Sequence, residues 1–264
     1  MDWWPAYLAI GVAVGFFAGL MGIGGGAIMV PLLVFVFSAK GFPTEHLMHF
    51  SLATALATIV FTSLSSVRAH HRFGAVEWPV VRAMAPGIVA GSLGAALVAG
   101  FLPTRLLATS FAVFLLYAGT QMFFEIRPRP GRDLPRPPGL FAVGAVIGGL
   151  SSLLAVGGAF LSVPFLSWCN VPLKRAIGTA AANGFPIAVA GSIGYIVQGL
   201  RAEGLPTGSF GYIYLPALGF IVVTSMLVAP LGARLMHWAP VRPLRIGFAL
   251  FLYAISARML ASLW

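Results

Sequence analysis

Charged residues are scarce in this 264-residue chain, and long stretches of it contain none. Asp, Glu, Lys and Arg together make up 8% of the residues, whereas hydrophobic residues make up 59%. Soluble domains carry about a quarter charged residues, so this composition excludes an ordinary soluble fold. Seven stretches lack all four residue types: 3–39, 46–67, 83–104, 106–124, 137–173, 176–200 and 204–233.

Each of these stretches is long enough to cross a membrane. A helix needs about 20 residues to span a hydrocarbon core about 30 Å thick. An eighth apolar stretch, 244–263, contains Arg245 and Arg258 only near its ends, where long side chains reach the interface. The sequence therefore predicts an all-α, polytopic membrane protein with about eight transmembrane helices.

Cysteine and acidic residues are also rare, and their scarcity excludes several kinds of site. Cys169 is the only cysteine, so an intrachain disulfide and a cysteine metal cluster are both excluded. We expect no cofactor and no bound metal. All six acidic residues fall in predicted loops or at span ends, so no carboxylate is expected at mid-membrane to repel an anion or hold a cation.

Two further function classes are disfavoured by the same composition. A membrane hydrolase needs a base beside its nucleophile, but His49 and Ser51 are two residues apart and face different sides of a helix. We therefore expect no enzyme activity. The net charge of +10 comes mostly from basic residues in short loops, where they set topology and contact lipid headgroups, so no nucleic-acid partner is expected.

Glycine and proline are plentiful, and they interrupt the first apolar run. Gly24, Gly25 and Gly26 each disfavour a continuing helix by about 1 kcal/mol, and Pro31 removes a further helical hydrogen bond. Because unpaired backbone groups are costly in lipid, such a break survives only against protein or a water-filled cavity. The break predicts either a kinked span or a re-entrant hairpin, and the kinked span is preferred.

The same interruption returns in the second half of the chain. Segment 15–33 aligns without gaps to segment 148–166, with seven identical residues. In that alignment Gly24, Gly25 and Pro31 match Gly157, Gly158 and Pro164. Such paired interruptions point to a transporter's binding site, although close packing of small residues is the alternative. Residues 1–126 and 139–264 are predicted to be two four-helix repeats, each with a glycine-broken first helix, joined by an Arg- and Pro-rich linker, 127–138.

The relation between the repeats depends on the shape of each break. Four spans per half make the repeats parallel, whereas a fully crossing hairpin in each half gives five crossings and inverted repeats. Basic residues are divided between the two sides in the four-span arrangement, and the linker arginines favour cytoplasmic termini.

A polar stripe follows each break. Ser51, Thr54, Thr58 and Thr62 share one face of the predicted second span, and Thr179 and Asn183 share one face of the sixth. These side chains either line a solute path or bond to neighbouring helices and to carbonyls one turn earlier.

Taken together, these segments resemble the sulfite exporter TauE/SafE family of membrane transporters. The resemblance rests on 22–26 with Val30 and Pro31, on 155–158 with Val163 and Pro164, and on the polar span after each. Segment 177–180 keeps most of the family's Gly-Thr-Ser signature, whereas 49–53 departs from it. The resemblance implies movement of sulfur-containing anions such as sulfite, sulfonates or related oxyanions across a bacterial plasma membrane, with export as the expected direction.

An anion site near mid-membrane fits the residues at both breaks. A helix that restarts after a break directs free N–H groups and a partial positive charge at the gap. The expected substrate-binding residues are Gly24, Gly25, Gly26, Ala27, Ser51, Thr54, Thr58, Gly157, Gly158, Ala159, Thr179 and Asn183. A passive anion channel or a non-transporting membrane subunit is the alternative. The particular anion, the direction of transport, proton coupling and the oligomeric state are left open by the sequence.

Overall fold

The computed structural model of the protein describes residues 3–21, 25–124, 131–236 and 241–262. In these ranges the chain forms ten α-helices and one short antiparallel pair of strands. The elements are α1 (Trp4–Met21), α2 (Gly26–Ala39), a 3-10 turn (Thr44–His46), α3 (Leu47–Arg72), α4 (Trp78–Ala99), α5 (Thr104–Phe123), α6 (Pro137–Leu153), α7 (Ala159–Trp168), α8 (Leu173–Gly199), β1 (Ser209–Phe210), β2 (Ile213–Tyr214), α9 (Leu215–Met236) and α10 (Val241–Ser262).

The helices confirm the predicted fold class, an all-α polytopic membrane protein. Four of them, α3 with its preceding 3-10 turn, α4, α5 and α8, are long and apolar enough to cross a membrane alone, and the others contain shorter apolar segments. Both repeats have a first helix that is broken at the glycine segment, into α1 and α2 and into α6 and α7. The predicted linker lies partly outside the described residues, and α6 begins at Pro137 inside it.

The first broken helix folds back on itself. Tyr7 near the start of α1 and Phe37 near the end of α2 both pack against Tyr214, with ring centroids 6.2 and 5.7 Å apart. A span that continued past a kink would separate Tyr7 from Phe37 by up to about 45 Å at 1.5 Å per residue, which is more than the thickness of the hydrocarbon core. The preferred kinked span was therefore wrong, and the re-entrant hairpin describes this pair.

The second broken helix folds back in the same way. The carbonyl oxygen of Trp168, at the end of α7, accepts hydrogen bonds from the backbone N–H groups of Gly131 and Arg132 at 3.2 and 3.3 Å. Those residues lead directly into α6 at Pro137, so both ends of the α6–α7 hairpin lie on one side of the protein. The Arg132 guanidinium also lies 4.8 Å from the centre of the Trp168 ring.

These hairpins invert the two repeats. Side 1 is the side of the protein where α1 begins and where β1–β2 lies. Side 2 is the opposite side, where Glu77 and Arg175 form an ion pair at 2.6 Å. Helices α4 and α6 run parallel, since Gly87 lies against Phe141 and Gly91 against Ala145. Helix α4 returns to side 1, so α6 starts from side 2, opposite to α1. The parallel arrangement was wrong because each first helix turns back instead of crossing once.

When the two parts of each broken helix are counted separately, α4 is the fourth helix of the first repeat and α9 is the fourth helix of the second. Small residues bring the first helix of each repeat against the fourth helix of the other. A Cβ atom added at Gly15 on α1 would lie 2.5 Å from the Ser225 carbonyl oxygen on α9. On the opposite pair, a Cβ atom added at Gly148 on α6 would lie 2.5 Å from the Ile88 carbonyl oxygen on α4. Such close backbone approach is typical of membrane helix pairs with small residues at the interface.

Candidate functional site

Glycine caps begin both re-entrant half-helices. Gly25 precedes α2 with a φ of 67°, and Gly158 precedes α7 with a φ of 75°. Glycine adopts this left-handed conformation without the steric cost that a Cβ atom brings. Neither half-helix has a side-chain cap, so no capping side chain accepts a hydrogen bond from the backbone N–H groups of the first turn. Gly24, also predicted to bind substrate, lies outside the described residues.

The two breaks are in contact inside the bundle. A Cβ atom added at Gly26, the first residue of α2, would lie 2.0 Å from the carbonyl oxygen of Ala155 in the second break. The second break also packs on α8, where a Cβ atom added at Gly184 would lie 2.8 Å from the Gly157 carbonyl oxygen. The arrangement places Gly25, Gly26, Gly157 and Gly158 together in the buried interior, as expected if they share a site.

Free donors remain at the start of α7. The N–H groups of Leu161 and Ser162 bond to the Gly158 carbonyl oxygen at 3.2 and 2.7 Å. Among the residues that the structure describes, the N–H groups of Ala159 and Phe160 have no acceptor. A helix end with unpaired N–H groups carries a partial positive charge and attracts anions.

Three hydroxyls of the first polar stripe are bonded within their own helix, and that of Thr62 donates to the Ile59 carbonyl oxygen at 3.3 Å. Ser51 Oγ donates to the Leu47 carbonyl oxygen at 2.9 Å, and Thr58 Oγ1 donates to the Thr54 carbonyl oxygen at 2.9 Å. Both side chains are buried in α3. Their protons are therefore used by the helix, and only lone pairs remain, which an anion does not bind.

Thr54 and Thr179 make equivalent contacts on the two sides. The backbone N–H of Tyr214 donates to Thr54 Oγ1 at 3.1 Å, and the backbone N–H of Glu77 donates to Thr179 Oγ1 at 3.0 Å. Tyr214 directly precedes α9 and Glu77 directly precedes α4, which are the fourth helices of the two repeats. Each hydroxyl thus joins a third helix to the start of a fourth helix.

Asn183 is fully buried in α8 between the second break and α4. Its Nδ2 donates weakly to the Met84 sulfur at 3.6 Å, and its Oδ1 has no partner among the described residues. The oxygen and nitrogen of an amide are assigned from their neighbours, and here the neighbours satisfy neither atom strongly. Asn183 is therefore free to turn a donor toward a ligand at little cost in protein hydrogen bonds.

Comparison with known sequences assigns the family of this protein, which the geometry of the site alone does not identify. The profile described as "Sulfite exporter TauE/SafE" matches residues 7–259. The chain is 37% identical to a "Probable membrane transporter protein" of Haemophilus influenzae over 257 residues, covering 96% of each chain.

A second "Probable membrane transporter protein", from Methanocaldococcus jannaschii, is 25% identical over 264 residues, which are 97% of this chain and 95% of that one. No solved structure is similar enough to count as a match. The chain belongs to the sulfite exporter TauE/SafE family. The protein is therefore an integral membrane transporter, and the names of its relatives are those of transporters, not enzymes.

Several buried hydroxyls in this TauE/SafE protein were missed by sequence reasoning. They are fully or almost fully buried and have no hydrogen-bond partner in the described part of the chain: Tyr7, Ser92, Ser151, Ser152, Ser162, Ser192 and Tyr195. The aligned repeats held a signal for three of them, because Ser151, Ser152 and Ser162 stand where the first half has Ala18, Gly19 and Met29. The matching glycines and prolines show what the two repeats share, whereas these serines are residues at which the two repeats differ.

Side 1 of this family member carries a cluster of aromatic and basic side chains. His49 Nε2 donates to the Ala99 carbonyl oxygen at 2.9 Å, and the His49 ring lies 5.0 Å from that of Tyr212. Lys40 bonds to the Tyr214 hydroxyl and makes no ion pair with the described carboxylates. Tyr212 and Tyr214 come from the strand pair, so this short hairpin closes side 1 over α3.

Proposed function

We propose that this protein is a secondary transporter that exports sulfur-containing anions such as sulfite, sulfonates or related oxyanions from a bacterial cell. Support comes from membership of the sulfite exporter family and from two relatives named as transporters. The relatives' names give neither substrate nor direction, so both belong to the proposal.

One observation carries the proposal: two half-helices begin at left-handed glycines in the buried interior, and their breaks touch. The partial positive charges of helix N-termini suit an anion, and they hold it without a buried Lys or Arg. A full positive charge would bind the anion more tightly and slow its release. The neutral helix ends are suited to a substrate that must both bind and leave.

The distribution of carboxylates agrees with an anionic substrate. Glu45 lies in the 3-10 turn, Glu77 precedes α4, and Asp133 and Glu203 lie in connecting segments. Within the described ranges, each carboxylate is thus outside the long helices. A cation transporter is instead expected to place carboxylates or carbonyl groups around a mid-membrane site.

In the proposed site, the substrate lies between the two breaks, bordered by the backbone at 25–27 and 157–159. Asn183 adds a side-chain amide from α8. Thr54 and Thr179 shape the site from the two third helices, while their hydroxyls also accept the hydrogen bonds from Tyr214 and Glu77. Ser51 and Thr58 border it on α3, with their hydroxyl protons bonded to carbonyls one turn earlier.

Transport by the purified protein in proteoliposomes tests the proposal. We expect saturable uptake of radiolabelled sulfite, and acceleration of that uptake when unlabelled sulfite is trapped inside. Uptake that neither saturates nor shows counterflow indicates a passive channel. Liposomes that take up sulfite, thiosulfate and sulfoacetate no faster than protein-free liposomes would contradict an anion transporter and favour a structural subunit.

A further inference from the structure

The positive end of α2 already faces a carbonyl oxygen of the protein. The Ala155 carbonyl lies directly against Gly26, only 2.0 Å from where a Cβ atom would be. Ala155 is held at a φ of 45°, in the left-handed region that a residue with a Cβ atom rarely adopts. This strained residue turns its carbonyl dipole toward the place where an anion would approach α2.

Apolar side chains fill the remaining space around the start of α2. A Cβ atom added at Gly25 would lie 2.7 Å from Val14 Cγ1 and 3.5 Å from Ala18 Cβ. The Ile59 Cδ1 atom lies on the other side, 3.3 Å from a Cβ atom added at Gly26. These neighbours offer an anion no hydrogen bond, and they exclude the water that would otherwise screen a charge.

The start of α7 adds a side-chain hydroxyl to its backbone donors. Ser162 lies in its first turn, is fully buried and has no partner for Oγ. Its Oγ lies 3.7 Å from where a Cβ atom of the capping residue Gly158 would be, so the hydroxyl points back to the helix N-terminus. The N–H groups of Ala159 and Phe160 are also without an acceptor among the described residues.

The aligned position in the first repeat removes this hydroxyl. Met29 stands in α2 where α7 has Ser162, and it is equally buried. A thioether sulfur is a weak acceptor and has no proton to donate. An unpaired buried hydroxyl destabilises the protein, and a bound acceptor removes that cost. The two half-helix ends are therefore chemically different although their glycines match.

We infer that the anion is held at the N-terminus of α7, by the N–H groups of Ala159 and Phe160 and the hydroxyl of Ser162, and not at the N-terminus of α2. This inference rests on the proposed function, because it assigns the substrate of that function to one of the two breaks. Three convergent donors suit one oxyanion group, such as a sulfite ion or a sulfonate headgroup. The first break then serves as the apolar, carbonyl-capped wall of the site.

Replacing Ser162 by two residues of the same shape tests this assignment. Threonine keeps a hydroxyl and valine lacks it. We expect Ser162→Val to weaken sulfite and methanesulfonate binding by about tenfold, as the loss of one hydrogen bond to a charged group implies. Ser162→Thr is expected to retain most of the affinity. Binding is measured by isothermal titration of the purified protein in detergent, with melting temperature as the check on folding.

Matched variants distinguish this loss of affinity from the effect of removing any buried serine hydroxyl. Ser92 is also fully buried and unpartnered but lies on α4 against Gly148, so Ser92→Ala is expected to leave affinity unchanged. Met29→Leu changes the aligned position and is expected to do the same. Equal losses for Met29→Leu and Ser162→Val, or an unchanged affinity of Ser162→Val, would overturn the inference while the proposed function stands. A wild-type protein that neither binds nor transports these anions would overturn the proposed function itself.

Discussion

At the scale of single residues, the site region contains groups that the protein leaves unsatisfied or strained. Asn183 Oδ1 and Ser162 Oγ are buried without partners in the described ranges, and Ala155 is held at a φ of 45°. Backbone strain and unpaired polar groups cluster at functional sites because the surrounding fold supplies the energy to keep them. The hydroxyls of Ser51 and Thr58, in contrast, are fully used by their own helix.

Ala155→Gly is expected to stabilise the protein by about 1 kcal/mol, since glycine removes the steric cost of the left-handed conformation. Thermal melting in detergent measures this change. Asn170 also has a positive φ, of 60°, but asparagine tolerates that region, so Asn170→Gly is the control and is expected to gain less. A lower melting temperature for Ala155→Gly would show that the Ala155 methyl contributes packing worth more than its strain.

Asn183→Leu is expected to weaken anion binding without lowering stability, because it removes a buried amide that the protein itself satisfies poorly. Ser192→Ala, also on α8, is the control and is expected to change affinity little. Anion titration and melting temperature measured together separate the two effects. Unchanged transport by Asn183→Leu at normal membrane abundance would remove Asn183 from the site.

At the scale of elements, the glycines fall into two groups with different neighbours. Gly25 and Gly158 cap half-helices at positive φ, and the nearest atoms to an added methyl are the tips of Val14 and Ile187. Gly11 and Gly91 lie at helix interfaces, where an added methyl would lie 2.9 Å from the Ile221 carbonyl oxygen and 2.0 Å from the Ala145 carbonyl oxygen. Side-chain tips can move aside, whereas a carbonyl oxygen in a packed helix cannot.

Alanine at the four glycines is therefore expected to act differently in the two groups. Gly11→Ala and Gly91→Ala are expected to lower the melting temperature strongly, with anion affinity unchanged in the folded fraction. Gly25→Ala and Gly158→Ala carry a strain of about 1 kcal/mol each, so their loss of stability is smaller. Gly158→Ala, at the α7 end that holds the anion, is expected to lose more affinity than Gly25→Ala. If the capping variants lose stability but keep affinity, the breaks are packing devices only.

At the scale of the whole molecule, inversion of the repeats gathers the basic residues on one side. In the described ranges, side 2 carries Arg68, Arg72, Arg82, Arg132, Arg136, Lys174 and Arg175, and side 1 carries Lys40, Arg105, Arg201 and Arg258. The four-span arrangement placed Lys174 and Arg175 opposite to Arg68 and Arg72, and the linker arginines then favoured cytoplasmic termini. The hairpins reverse that expectation, because α1 begins on side 1. With the hairpins, side 2 is expected to face the cytoplasm by the excess of Lys and Arg in short loops.

Two glycines in exposed loops test this orientation as a matched pair. Gly74 on side 2 and Gly204 on side 1 both have positive φ and no atoms within 4 Å of an added Cβ. The native Cys169 is buried, so it gives little background. We expect a membrane-impermeant maleimide to label Gly204→Cys but not Gly74→Cys in intact cells, and both after lysis. The reverse pattern would place side 1 in the cytoplasm.

The sequence by itself determined the membrane class, the duplication, the positions of both glycine breaks and the family. These properties are local: hydropathy, glycine and proline act within a few residues, and a repeat is visible by alignment. Bonding of Ser51 and Thr58 within their own helix could also be anticipated as an alternative, because a carbonyl oxygen one turn earlier is always within reach of a helical hydroxyl.

Only the tertiary structure decided the return of each half-helix, the inversion of the repeats and the partners of Thr54 and Thr179. Whether a broken helix continues or turns back depends on what packs against its second part, such as Tyr214 against both Tyr7 and Phe37. Those residues are far apart in the chain, and no periodicity within a span encodes their contact. The difference between α2 and α7 likewise arises from Ala155, whose carbonyl reaches Gly26 only once both hairpins are folded.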